Sequence, residues 1–213
     1  MFRVRNFVAP LLLLGAALPV AAQDFHRATF HLGGGFTQPV QETEDRVKRG
    51  FNLLAGGGIN VTRNFSLVGE FGYNQLRLSD RTLSQFNVPG GEGRMLSVTI
   101  QPTVRFRPES RFDVYLTAGG GWYRRTIEFT EPTTAVVNIF DPWYGVFYPV
   151  EVPANTVLGR YTQNKGGINA GGGIEIRISD SDTARIFAEA RYHHVYTRPL
   201  ATNIIPVTFG FRW

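Results

Sequence analysis

Apolar residues recur at every second position along most of this chain. The clearest case is the C-terminal run, residues 203–213, where Ile205, Val207, Phe209, Phe211 and Trp213 alternate with Pro206, Thr208, Gly210 and Arg212. A period of two describes a strand with one apolar and one more polar face. The same period predicts seven further strands, over residues 26–37, 51–61, 65–74, 95–106, 112–124, 168–178 and 185–196. In residues 95–106 Leu96, Val98, Ile100, Val104 and Phe106 oppose Ser97, Thr99, Gln101, Thr103 and Arg105, and Pro102, which has no donor for the ladder, predicts a bulge.

The connections alternate in length. Residues 62–64, 107–111 and 179–183 read as short turns, with Asp180 and Asp182 as turn residues, and a brief link spans 197–202. Residues 38–49 and 78–94 read as longer polar loops, and residues 128–163 as the longest irregular segment, with four prolines and the aromatics Phe140, Trp143, Tyr144, Phe147 and Tyr148. With the N-terminus in the periplasm, every short turn falls on the periplasmic side and the variable loops lie outside. Aromatics gather at the strand ends, Phe65, Phe106, Phe112 and Trp213 at one level and Phe36, Tyr73, Trp122 and Tyr196 at the other, as two interfacial girdles would require. GGG occurs four times, at 33–35, 56–58, 119–121 and 171–173. Glycine lets a small barrel bend and coil, and inward glycines make room for large polar side chains. No helix or GK[ST] follows to make a phosphate loop.

The N-terminus changes the setting. Arg3 and Arg5 precede an apolar run over residues 7–18, and Val20, Ala21 and Ala22 follow with small side chains. That order is a secretory signal with cleavage before Gln23, leaving residues 23–213 as one domain. The run is too short for a bilayer that needs roughly 20 residues, and Pro10 and Pro19 interrupt it. No later stretch could span as a helix, so a membrane-embedded form must be a closed barrel. The formal charge of +5 falls to +3 without Arg3 and Arg5, and no basic cluster with interleaved aromatics suggests nucleic acid. The chain has no cysteine, so neither a disulfide framework nor a lipid anchor on cysteine applies.

Alternation alone does not say which face is inside, since a soluble lipocalin-like barrel has the same period. Charge decides it once a membrane is assumed. Glu70, Arg105, Glu175, Arg177, Glu189 and Arg191 all oppose the apolar sets. Arginine on the lipid face near the midplane costs about 2–4 kcal/mol, so these residues point inward. Side chains just fill an eight-stranded lumen, so the charges must pair, and Arg212 joins the expected network.

The strand count, loop asymmetry, inward charges, signal peptide and aromatic C-terminus together resemble the OmpA-like eight-stranded outer-membrane β-barrels over essentially the whole processed chain. The resemblance implies an all-β, antiparallel up-and-down transmembrane barrel in the bacterial outer membrane. It implies outer-membrane lipid, lipopolysaccharide and the barrel assembly machinery as partners, with Val207, Phe209, Phe211 and Trp213 as the signal that machinery reads. The chain ends with the barrel, so a peptidoglycan tether as in longer family members is unsupported.

Candidate chemistry is sparse. Lipid A deacylases, also eight-stranded barrels, use a His/Ser/Glu arrangement, but the residue two after His194 is Tyr196, so their H-x-S spacing is absent. His194 reads as an outward member of the aromatic belt with Tyr192 and Tyr196, and His193 as a hydrogen-bonded lumen residue near Glu189 and Arg191. His26 and His31 fall on opposite faces and cannot share a metal. Glu42, Glu44 and Asp45 could hold a divalent cation bridging lipopolysaccharide but read first as a solvated run. No catalytic, cofactor or metal set follows. The aromatics in residues 140–148 form either a recognition surface for an extracellular ligand or a cap folded over the barrel mouth. The leading expectation is a non-enzymatic barrel with a structural or surface-interaction role. An adhesin, a lipid A-modifying enzyme and a small pore are the alternatives.

Overall fold

A computed structural model describes residues 27–178 and 184–213. The expected signal peptide, His26 and the turn at 179–183 with Asp180 and Asp182 lie outside the described residues. Eight antiparallel strands run in sequence order around a closed barrel. They are β1 (Ala28–Pro39), β2 (Val47–Asn60), β3 (Phe65–Leu78), β4 (Gly90–Arg105), β5 (Phe112–Asp141), β6 (Val146–Arg177), β7 (Arg185–Val195) and β8 (Thr202–Arg212). The last strand closes the ring. It pairs with β7 on one side and with β1 on the other, and the backbones of Phe30 and Trp213 exchange hydrogen bonds of 2.7 and 2.9 Å at the seam.

Side-chain polarity is inverted relative to a soluble barrel. Leu53, Phe71, Ile100, Leu116 and Phe209 on the outer face are half exposed, whereas Glu70, Glu175, Glu189 and Arg191 are buried inside. The apolar outside is a lipid-facing belt, and the lipocalin-like alternative falls. No helix among the described residues is long and apolar enough to cross a membrane.

The inversion stops at the upper girdle, where the phase of the alternation flips. Along β3, Phe65, Leu67 and Phe71 are exposed below Tyr73, but beyond it Leu76 and Leu78 are buried and Arg77 is exposed. Met95, Tyr123, Val195 and Ile204 also turn inward, and with Val47, Leu76 and Leu78 they build an apolar plug across the upper lumen. Leu83, Ile127 and Phe129 pack against it. Where water replaces lipid outside, the chain returns to the ordinary rule of apolar inside. A buried side chain of this size stabilises by roughly 1.5–3 kcal/mol.

Three expectations are corrected. Residues 128–163 are not irregular: β5 and β6 continue far past the barrel as a paired two-stranded ribbon, with a turn over residues 142–145. Residues 78–94 contain a short helix, α1 (Asp80–Phe86), whose N-terminus is capped by Ser79 accepting from the Thr82 amide. Pro102 makes no bulge, since β4 keeps its register with β3 through Leu67↔Pro102 and with β5 on either side of the gap. The missing donor is absorbed by leaving Gln101 and Pro102 unpaired with β5 rather than by an extra residue.

Candidate functional site

The lumen carries most of the polar chemistry, in two layers below the apolar plug. In the upper layer the Arg191 guanidinium on β7 donates to Glu70 on β3 (3.0 Å), to Glu189 two residues away and to the Gln101 carbonyl oxygen. Gln101 in turn donates to Glu70 at 2.6 Å, the Tyr115 hydroxyl to Glu189 at 2.9 Å, and His31 Nε2 lies 3.0 Å from Glu70 Oε1. Bidentate pairing of this kind is the strong form of ion pair. The lower layer centres on Glu175, whose side chain is fully buried, with Arg105 and Arg185 each at 3.7 Å and Arg212 in closer contact. Asp113 lies 4.0 Å from Arg185 and accepts from the Arg107 amide at 2.6 Å. Arg212 also stacks over Tyr115 and Phe187, at 4.7 and 5.2 Å.

Six of the seven residues expected in the network therefore meet, as two clusters rather than one. Arg177 stands apart: it is half-buried at the end of β6 and donates to the Pro108 carbonyl at 3.2 Å, so among the described residues its partner is a turn backbone. Sequence reasoning missed His31, Gln101, Asp113, Tyr115 and Arg185. Their inward parity was available, but contact across the lumen depends on the barrel's cross-section.

Glycine makes the space. A Cβ on Gly56 would sit 2.4 Å from the His31 ring and 2.8 Å from the Glu70 side chain, and one on Gly173 would meet the Tyr115 hydroxyl at 2.6 Å. Such contacts are too close for any Cβ, so the repeated glycines leave room for the large inward side chains. Beside the upper charge layer a cavity lined by Asn52, Asn74, Thr99 and His193 measures about 20 Å³, roughly one water.

Among the described residues the histidine pair is engaged by phenol and amide groups. His193 is buried, its Nδ1 lies 3.0 Å from the Tyr123 hydroxyl, and it lines the same small cavity as Glu189 and Arg191. His194 Nδ1 is 2.7 Å from Asn203 Oδ1, which also accepts from Tyr192 at 2.9 Å, and its ring meets Tyr196 edge to face. An amide and two phenol rings offer no nucleophile of the serine type. Glu42, Glu44 and Asp45 are exposed, and Asp45 lies 3.2 Å from Arg81. Among the described residues no group of three His, Cys, Asp or Glu could hold a metal ion.

The ribbon is the second feature. Its register places Ala135, Val137 and Ile139 opposite Val152, Val150 and Tyr148, so one face is continuously apolar. At the end, Trp143 and Tyr144 are 92% and 80% exposed, and Phe140 packs on Phe147 at 5.0 Å. Phe147 and Tyr148 are exposed as well, so these aromatics do not cap the mouth. The plug does that. The C-terminal residues Phe209, Phe211 and Trp213 lie on the outer face of β8, and Val207 is partly covered in the same row.

An inside-out eight-stranded barrel with a filled lumen is a small outer-membrane barrel. The chain belongs to the outer membrane protein beta-barrel domain family, which it matches over residues 7–212. Among solved structures it is similar to Neisserial surface protein A, at 11% identity and a TM-score of 0.57, covering 87% of this chain and 95% of that one. Ail of Yersinia pestis (13% identity, TM-score 0.47, 89% and 100% covered) and OprG of Pseudomonas aeruginosa (12%, 0.48, 88% and 96%) are further similar structures. A search of curated proteins gives no match.

Proposed function

We propose that this barrel is a non-enzymatic surface-interaction protein, exported by a signal peptide spanning residues 1–22, whose β5–β6 ribbon engages an extracellular partner. The observation that carries the reading is the continuous apolar face of the ribbon ending in exposed Trp143 and Tyr144. A water-exposed apolar surface of that extent marks an interaction site, and aromatic residues dominate binding energy where they are desolvated. Short turns face the periplasm in this reading, the outward row of Val207, Phe209, Phe211 and Trp213 serves the barrel assembly machinery, and lipid and lipopolysaccharide surround the belt.

The enzymatic alternative lacks a nucleophile beside His194. The pore alternative meets a lumen closed by two charge layers and an apolar plug. The test is to delete residues 132–153 and measure adherence of whole cells to immobilised matrix proteins and to one another. Heat-modifiable migration on a gel monitors folding. The deletion should leave folding intact and abolish adherence. A folded deletion that adheres like the parent would overturn the proposal.

A further inference from the structure

The β3–β6 surface just above the upper girdle carries a second feature, separate from the ribbon's apolar face. Register fixes two rows of outward residues there. Tyr73, Leu96 and Arg124 lie side by side across β3, β4 and β5, and one step further out Arg94 lies beside Thr126 and Thr162. Arg160 is a further step out, opposite Glu128. These residues surround a groove of about 230 Å³, with Tyr73 and Leu96 at its foot. At roughly 30 Å³ per water this space admits a tetrahedral oxyanion with part of its attached alcohol.

The charges in the groove are not balanced internally. Glu128 lines the groove as well, with its side chain largely covered, and bridges Arg94 and Arg160, the latter at 2.7 Å, which fixes both guanidiniums and leaves Arg124 as the positive excess. Glu92 is engaged by Arg94 at 2.7 Å and by Gln75 at 2.6 Å. Arg124 is exposed, and among the described residues it has no carboxylate partner. The hydroxyls of Thr126 and Thr162 lie 3.2 Å apart facing the same space. Two oriented guanidiniums and one unpaired guanidinium suit the oxygens of a phosphate, which arginine binds in bidentate fashion.

Height decides which phosphate. Trp122, one outward position below Arg124, belongs to the girdle, and beyond Tyr73 the outward face turns polar. At about 3.3 Å per residue on strands tilted by about 40°, Arg124 and Arg94 stand within roughly 10 Å of Trp122 and Arg160 at roughly 15 Å, the zone where lipid headgroups lie. A basic pocket at that depth, with an apolar foot for the start of an acyl chain, is a lipid headgroup site. We propose that the groove between Arg94, Arg124 and Arg160 binds the phosphate of an outer-leaflet lipid. The proposal rests on the orientation given above, with the ribbon outside.

The experiment uses the full barrel purified from outer membranes and placed in nanodiscs. Lipid retention is read by native mass spectrometry for diphosphorylated lipid A, dephosphorylated lipid A and phosphatidylglycerol. The variants are Arg124→Gln, and Arg124→Gln with Arg160→Gln, and Arg63→Gln in a turn at the opposite end serves as control. Among the described residues Arg124 has no partner to lose, so its replacement should fold, as heat-modifiable migration will verify. The double variant should retain a phosphorylated lipid at least tenfold less well than the parent, while dephosphorylated lipid A is unaffected. Selective loss of lipid A or of phosphatidylglycerol identifies the natural source, and either supports the site. Equal retention by parent and double variant would overturn it, as would an equal loss in Arg63→Gln. Protease cleavage of the ribbon on intact cells tests the orientation independently, so failure of the site and failure of the orientation are distinguishable.

Discussion

Glu70 is the residue on which the lumen converges, touching Arg191, Gln101 and His31 from three other strands. Removing Glu70 leaves Arg191 with Glu189 alone and takes a buried acceptor from Gln101 and His31, at about 1–3 kcal/mol. Glu70→Ala should therefore lower the unfolding free energy by that amount, measured by urea titration in detergent. An unchanged midpoint would mean that water or Glu189 alone satisfies Arg191. Gly56→Ala should also destabilise, by about 1–3 kcal/mol, because its Cβ would meet the His31 ring, whereas Gly34→Ala on the outer face meets only the Leu53 and Asn52 neighbours beyond 3 Å and should be tolerated. At this scale the sequence was partly legible. A period of two assigns Glu70, Glu175, Glu189 and Arg191 to the inside, but not the partners they meet, because those come from strands far apart in the chain. Arg177 shows the limit, since among the described residues its position at the strand end gives it the Pro108 carbonyl as partner and keeps it out of both clusters.

Among the elements, the β5–β6 ribbon was the least legible. Pro132, Pro149 and Pro153 read as breakers, yet all three sit in an unbroken ladder, opposite Asn155, Asn138 and Thr134. In a two-stranded ribbon each strand has a free edge, and a proline whose missing donor faces that edge costs the ladder nothing. The same prolines blunt an edge that would otherwise template association with another chain. Replacing Pro149 and Pro153 together with Val should therefore yield higher oligomers on gel filtration in detergent, whereas the parent runs as a single species. A monodisperse variant would show that the edge is protected by other means. β3 taught the opposite lesson. Its alternation was clear up to Tyr73, and its extension to Leu78 was missed because the apolar phase switches there.

For the molecule as a whole, eight strands, their order and the inverted polarity followed from periodicity and from the energetic penalty on lipid-facing arginine. The apolar plug did not. Val47, Leu76, Leu78 and Ile204 fall where the apolar alternation ends or is out of phase, and only the closed ring brings them together. With the plug above two ionic layers, the purified protein should be electrically silent in planar bilayers. A steady conductance would show that these layers part under voltage.

The ribbon also sets a distance. From Thr130 to Asp141 it runs 12 residues past its register shift, about 40 Å of extended chain. Trp143 and Tyr144 are thus carried well away from the bilayer on a narrow stalk. Whether a neighbouring cell or matrix fibre can reach them then depends on the thickness of the surrounding sugar coat. Strains with truncated surface polysaccharide would bare the aromatic tip, while long chains would bury it, so one unaltered protein could be adhesive or silent according to the glycans around it.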